Sequence, residues 1–445
     1  SNYYNTEPDF TIDNSGNIHC VWSTRHGTNF YRIYYSKSTD NGEIWSNPVS
    51  VSYNSEKWAT QPHIVSDSEN NLHLTYDYDA GSIGNIKILY KKFDGTSWTI
   101  PDTLNKGIYG CMHNRLTIDN NDRLYCFWYI PTVASGNTYY RFLDPNTNEW
   151  SEVNNPYDSV RFNQILIDEQ NTLHVLGSVR KLGYSWYKVG YFRGFEDIWD
   201  EIVEVSSETH GNSYSMAIDQ NTEPHIVWQQ ISPSSPGSDT ILYSYKTNGS
   251  WSFPENLITE ADYLSTCFDV NGSIHLICTK VNDTANYLLH MERTNQLWDI
   301  YTIDSGFYAL SKLIYKESYL YLNQIIVDTI IGGSPHTRVL FRKKEILIDN
   351  YLDETAETKV NIFPNPFNEQ VNINIVLIDP QKAIVEIYNL KGQKIESLHN
   401  GHISKENMNL VWDGRDEAGN RVPEGIYLLN ITAGKSLITK KILIL

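Results

Sequence analysis

The 445-residue sequence is 13% aromatic, with 31 Tyr and 12 Trp against 4 Met, a composition of packed strands that excludes a disordered chain. Its formal net charge of −18, with no run of Lys or Arg, excludes nucleic acid as a partner class, because such a surface repels phosphate backbones. No apolar run approaches the roughly 18 residues that a membrane-spanning helix requires, and the excess acid lies in residues 1–354, since Lys+Arg and Asp+Glu balance from Thr355 onward.

The chain opens SNYYNTEPDF, without an initiator Met or an apolar signal core. This reads as a mature or trimmed chain whose targeting segment, if it had one, is gone. A repeat then takes over. A tryptophan following a polar turn recurs at Trp45, Trp98, Trp150, Trp199, Trp251 and Trp298, with spacings of 53, 52, 49, 52 and 47 residues. The first turn, STDNGEIW, holds Ser38, Asp40, Gly42 and Trp45; FDGTSW, LDPNTNEW, RGFEDIW, KTNGSW and RTNQLW keep the Trp and part of the turn chemistry. A second pattern runs in phase: FTIDNSGNIHCVW, IVSDSENNLHLTY, LTIDNNDRLYCFW, ILIDEQNTLHVLG, MAIDQNTEPHIVW, TCFDVNGSIHLIC and a weaker KLIYKESYLYLNQ. Each is an apolar run, an Asp-led turn and a second apolar run, which is the pattern of a β-hairpin. Each unit thus carries four short strands. Seven such units predict an all-β fold with a seven-bladed β-propeller over residues 1–350, because one small sheet cannot bury both of its faces and a ring of them can. Asp40 is expected to accept backbone N–H groups, Gly42 to take a positive φ, and Trp45 to pack between blades.

Ser-x-Asp-x-Gly-x-x-Trp at 38–45 resembles the Asp-box of sialidase-like (BNR-repeat) β-propellers, and the in-phase Trp and hairpins extend the resemblance over roughly residues 7–350. In that family the box is a structural turn and implies nothing about substrate. The sialidase Arg-Ile-Pro motif would fall near NFYRIYYS, where Arg32-Ile33 is followed by Tyr34, and no arginine triad is recognisable; a classical sialidase is therefore disfavoured. His19, His73, His174, His225 and His275 recur at one position of the second strand. Equivalent positions on different blades are far apart, so these are read as packing or hydrogen-bonding rings and not as one metal site. The five Cys have no CxxC or Cys/His spacing and read as buried small hydrophobes.

After the acidic stretch DNYLDETAET the period stops. Residues 351–358 read as a linker, and residues 359–445, alternating strands with Gly, Pro and Asn turns, as an Ig-like β-sandwich. FPNPFN, VEIYNLKGQKI, WDGRDEAGNRVPEGIYLL and TKKILIL resemble the C-terminal sorting domain of type IX secretion substrates (type A). The resemblance implies the type IX secretion machinery as a partner through residues 359–445. It also implies release or attachment at the outer surface of a Bacteroidota-like cell, often with loss of this domain by cleavage.

In a propeller the first strand of each blade lines the channel, and ligands sit over the ends where those strands begin. Four residues before each Asp-led turn lie Asp9, His63, Arg115, Gln164, Ser215, Ser265 and Ser311; two positions earlier lie Glu7, Gln61, His113, Phe162, Ser213, Tyr263 and Ala309. Glu7, Asp9, His63, His113 and Arg115 are thus expected to converge on one mouth, with Arg161, Asn163, Asn212, Tyr214 and Gln164 beside them. The bland alternative is a solvated channel rim. Tyr129, Tyr139, Tyr140, Tyr184 and Trp186 are assigned to long upper loops, where aromatic faces suit sugar rings.

Three functions are compatible with these residues. The first is a secreted or cell-surface protein that binds a polysaccharide or other glycan at the mouth without catalysis. The second is a polysaccharide lyase or other glycan-cleaving enzyme. There His63 or His113 serves as base or acid, Arg115 or Arg161 clamps a uronate carboxylate, and Tyr214 or Tyr184 donates to the leaving oxygen. The third is a structural or adhesive surface protein. No cofactor is expected. No metal is expected either, because turns such as DNSGN lack a following bidentate acid.

Overall fold

A computed structural model gives the structure of the protein. It describes residues 3–444 except 27–29, 54–56, 80–84, 109, 132–135, 159, 180–187, 196–197, 207–209, 232–238, 282–285, 295–296, 306–307, 317, 332–333, 346–358, 364, 366, 377–380, 404–407 and 434–435. Among the described residues every regular element is a strand. The chain divides into two compact units, Ser1–Ile348 and Asp349–Leu445. The linker expected at 351–358 lies outside the described residues.

In the first unit the described strands form seven small antiparallel sheets, each a meander of three to five strands in chain order. Their first strands are Tyr3–Ile12, Trp58–Ser66, Met112–Ile118, Val160–Ile167, His210–Ile218, Ala261–Phe268 and Tyr308–Lys316. Each touches the first strand of the next sheet, and the seventh touches the first. The closure is explicit in bonds: Asn5 N donates to Thr337 Oγ1 and Lys316 Nζ donates to the carbonyls of Ile12 and Asp13. The short opening segment therefore reaches the last sheet through side chains.

One polar relay explains why the sequence repeats. In the first hairpin, Asp13 Oδ1 accepts from the amides of Ser15 and Asn17, closing the turn, and Oδ2 lies 3.0 Å from His19 Nε2. His19 Nδ1 lies 2.8 Å from the Tyr35 hydroxyl on the third strand. Tyr35 meets Trp98 of the next sheet edge to face, 5.7 Å between centroids. The same chain recurs as Asp67–His73–Tyr90–Trp150 and Asp168–His174–Tyr191–Trp251. His19, His73 and His174 are thus buried connectors whose two nitrogens are both used. Each Trp caps the preceding sheet, and Trp45 closes the circle against Phe341 of the seventh, 5.2 Å away.

In the turn that carries Trp45, Ser38 Oγ donates to Asp40 Oδ1, Asp40 Oδ1 accepts from the Ile44 amide, and Trp45 Nε1 donates to the Gly42 carbonyl. Gly42 has φ +89° and a Cβ there would sit 2.8 Å from the Phe341 ring. Gly42→Ala is therefore expected to destabilise the first unit by about 1–3 kcal/mol, measured as a lower urea midpoint with unchanged slope; an unchanged midpoint contradicts this role.

The second unit stacks a sheet of Lys359–Phe363, Val371–Val376 and Met408–Trp412 with one of Gln381–Asn389, Lys394–Ile403, Gly425–Ala433 and Ser436–Ile444. Alternating residues Val371, Ile373, Ile375, Val385, Ile387, Leu429, Ile431 and Ile442 meet Trp412 and Phe367 in its core. The FPNPFN motif has a structural purpose: Asn365 donates to the Lys441 carbonyl and accepts from the Leu443 amide, fastening the final strand.

Candidate functional site

The candidate site begins with one local irregularity repeated in every sheet. The pairing between first and second strands slips by a bulge near the start of each first strand, at Thr6/Asp9, Thr60/His63, Met112/Arg115, Phe162/Gln164, His210/Tyr214, Asp262/Ser265 and Ala309/Lys312. Glu7, Gln61, His113 and Tyr263 occupy these bulges with φ of 53°, 53°, 55° and 56°. A side chain in that region costs on the order of 1–2 kcal/mol, so the surroundings must hold it. They do: Glu7 Oε2 accepts from the Gln61 amide at 2.7 Å, Asp77 Oδ2 from the His113 amide at 2.8 Å, and Ser213 Oγ from the Leu264 amide at 3.0 Å.

Next to the bulges runs a girdle of sheet-to-sheet bonds. Asp9 Oδ2 accepts from the Ile64 amide and lies 3.2 Å from His63 Nδ1, while Oδ1 pairs with Lys312. His63 Nε2 accepts from Arg115 Nη1 at 2.8 Å, and Arg115 Nε donates to the Asn163 carbonyl at 2.9 Å. Gln164 bonds both the amide and the carbonyl of Met216; Ser215 Oγ accepts from the Thr266 amide and Ser265 Oγ from the Leu313 amide. Asp9, His63, Arg115 and Gln164 are thus adjacent, and each also joins neighbouring sheets. The side chain of Ser311 lies outside the described residues.

The electrostatics follow from these contacts. Burial pushes the Asp9 carboxyl up, but Lys312 and His63 outweigh it and hold the group well below the ordinary range. Arg115 donates to His63 Nε2, so the imidazole carries its proton on Nδ1 toward Asp9; burial and the Arg115 charge hold its pKa down at about 4. Glu7 is raised by burial, and Asp77 is raised by burial to about 6.

His113 differs from the girdle. It is half-buried, its ring stacks on Tyr129 at 5.2 Å and 9°, and among the described residues neither ring nitrogen has a hydrogen-bond partner. Burial, then Arg115 and Arg161, lower its pKa to about 4, so it is neutral at pH 7. The Arg161 guanidinium is exposed and lies 4.8 Å from the centre of the same Tyr129 ring. Tyr214 is buried, with its hydroxyl 3.0 Å from Ser178 Oγ and held also by Asn163. Gly177 supports Arg161 from below: a Cβ there would stand 2.7 Å from the Arg161 carbonyl oxygen, so only glycine fits.

The aromatic loop assignment needs correction. Tyr129 lies in the strand Leu124–Pro131, and Tyr139 and Tyr140 in Gly136–Asp144; Tyr129 and Tyr140 are buried. Their alternation with apolar neighbours continues the strands past the expected ends, and Tyr140 packs on Phe127 and Trp199. Tyr184 and Trp186 lie outside the described residues, as does the side chain of Asn212. Asp77, Ser178 and Gly177 escaped the sequence reading because they sit on second strands; the only trace was a carboxylate inside the apolar run LHLTYDYD.

Among curated proteins, none matches the chain. Solved structures of similar fold include polysaccharide lyases. A PL25 ulvan lyase, also solved bound to -[GlcA(1-4)Rha3S]-, aligns with a TM-score of 0.56 at 10% identity, covering 76% of this chain and 94% of its own. The polysaccharide lyase Uly1 aligns at 0.53 and 8% identity, covering 75% of this chain and 88% of its own. No helix among the described residues is long and apolar enough to cross a membrane. Residues 361–445 match the secretion system C-terminal sorting domain, and this segment addresses the chain to type IX export, at the outer surface of a Bacteroidota-like cell or beyond it.

Proposed function

We propose that residues 1–350 form a seven-bladed propeller with Asp-box turns, joined by residues 351–358 to an Ig-like sorting domain at 359–445. We further propose that the propeller binds an acidic polysaccharide where its first strands begin. One observation carries this. In a chain of net charge −18, the exposed Arg161 guanidinium lies 4.8 Å from the centre of the Tyr129 ring on which His113 stacks and, among the described residues, has no ion-pair partner. A cation left without a carboxylate suits a uronate, because the guanidinium fork can hold the sugar's carboxylate in two parallel bonds. Glu7, Asp9, Asn163, Gln164 and Asn212 supply bonds to hydroxyls or hold the rim. The lyases of similar fold support only the capacity of such a scaffold to take a chain of this kind.

Binding of the full chain to polygalacturonate, a sulfated uronate polymer and a neutral glucan tests this reading. The acidic polymers are expected to bind, and Arg161→Ala to weaken them roughly 10- to 100-fold, the worth of a charge-assisted bond or two. Equal binding of the neutral glucan, or no effect of Arg161→Ala, overturns it.

A second reading is favoured by the neutral, unbonded His113. In β-elimination it takes the proton from the carbon bearing the uronate carboxylate. That electron pair forms the ring double bond as the adjacent C–O bond breaks, and Tyr214 protonates the departing oxygen. The arginines stabilise charge developing on the carboxylate. His63, already held between Asp9 and Arg115, leaves the base role to His113.

A further inference from the structure

The sixth sheet breaks the repeat in two coordinated places. In the first five sheets the third strand offers a tyrosine at one position: Tyr35, Tyr90, Tyr140, Tyr191 and Tyr243. In the sixth sheet that position is His290, opposite Ile277. Two residues on, the first five sheets have Lys37, Lys92, Phe142, Arg193 and Tyr245; the sixth has Glu292, paired with His275. A neutral hydroxyl and a cation or aromatic have been exchanged for an imidazole and a carboxylate, both toward metal donors.

The geometry follows the exchange. His275 Nδ1 lies 2.9 Å from His290 Nε2, with the rings 18° from coplanar, and one ligand atom from each of His275, His290 and Glu292 lies within 4.8 Å of the others. His275 and His290 are buried; Glu292 is half-buried and gives access from solvent. His275 Nε2 still faces its turn aspartate. It stands 3.3 Å from Asp269 Oδ2, between the 3.0 Å of His19 and His174 and the 3.7 Å of His225 to theirs. A carboxylate behind the far nitrogen of an imidazole orients the near nitrogen toward a metal.

We propose that His275 Nδ1, His290 Nε2 and a Glu292 carboxylate oxygen bind a zinc ion, with Asp269 orienting His275 and water completing the coordination. Two imidazoles and one carboxylate are a zinc donor set, and ligand distances of about 2.0–2.2 Å need only a few tenths of an ångström of opening between the two rings. The proton shared in that contact moves to the far nitrogen of its own ring, so the pair binds without changing charge. Glu292 also faces Lys344 of the seventh sheet at 3.8 Å, so one carboxylate oxygen remains for that cation. The site lies at the turn end of the sixth sheet, away from the bulges, and is independent of the carbohydrate reading.

The test uses the full chain, tag-free, stripped with chelator and titrated with zinc chloride. One saturable zinc per chain is expected, with a rise in melting temperature on saturation. His290→Tyr restores the residue of the other sheets. It is expected to fold and to lose the stoichiometric zinc, and Glu292→Gln to weaken binding at least tenfold. Absence of saturable zinc in the parent chain, or equal zinc in a folded His290→Tyr variant, overturns the proposal.

Discussion

Replacing Asp9 with alanine is expected to lower the unfolding free energy of the first unit by about 3–5 kcal/mol, the cost of removing one member of a buried ion pair. The carboxylate is 5% exposed and accepts from the Ile64 and Phe10 amides while pairing with Lys312 and facing His63. Alanine leaves two buried amides without acceptors, each worth roughly 1–3 kcal/mol, and releases the Lys312 contact that ties the seventh sheet to the first. Asp9→Asn keeps an acceptor and is expected to cost less; Lys312→Met, with the lysine 39% exposed, less again, because a half-exposed ion pair is screened. Urea unfolding at pH 7 ranks the three. The Asp9 contribution also has a sign in pH: its carboxyl is depressed in the folded state, so the stabilisation is complete above the unfolded carboxyl range and is lost progressively as pH falls from there through the lower folded value. Equal loss in Asp9→Ala and Lys312→Met would show that the girdle amides contribute nothing.

The second large effect concerns His113. On the proposed elimination chemistry, His113→Ala is expected to lower kcat about 10²- to 10⁴-fold, the usual worth of a positioned general base, with binding retained. The pH profile separates this role from a structural one. In the free protein burial and two arginines hold His113 at about 4 against 6.5 for an unperturbed imidazole. The acid limb of kcat/KM, which reports the free protein, is therefore expected near pH 4. A bound uronate carboxylate offsets the arginine charges and raises the imidazole in the complex, so the acid limb of kcat is expected at higher pH than that of kcat/KM. Coincident limbs near 6.5, or full turnover by His113→Ala, would remove His113 from the chemistry. Arg161→Ala brings the free imidazole back toward its ordinary value and is expected to move the kcat/KM limb upward.

The half-buried His113 among bonded neighbours also shows how a repeat protein can build a site. Four of the bulge positions share the same positive-φ backbone, yet the side chains differ: Glu7 is acidic, Gln61 an amide, His113 an imidazole and Tyr263 a phenol. The shared scaffold supplies the strain and the amide acceptors, and each sheet contributes a different group.

The amino-acid sequence by itself determined the all-β class, the near-50-residue period and the address at the C-terminus. Hydrophobic alternation and Asp-led turns are local, and so is FPNPFN, whose Asn365 does its bonding against a strand the motif already announces. It also placed Asp9, His63 and Arg115 side by side, because equal offsets from equal turns reach equal heights in neighbouring sheets. Only the tertiary structure decided what each is bonded to: the partners of His63 are 54 residues earlier and 52 later, and no spacing rule says that both its nitrogens are used while, among the described residues, those of His113 are not. Tyr129 looked like a loop residue until Phe162 and His113 were packed on it, and the His275–His290 pair appeared only once strand register set residues 15 apart face to face. Local pattern dictates which strands form; contact between strands distant in the chain dictates what each side chain has left to do.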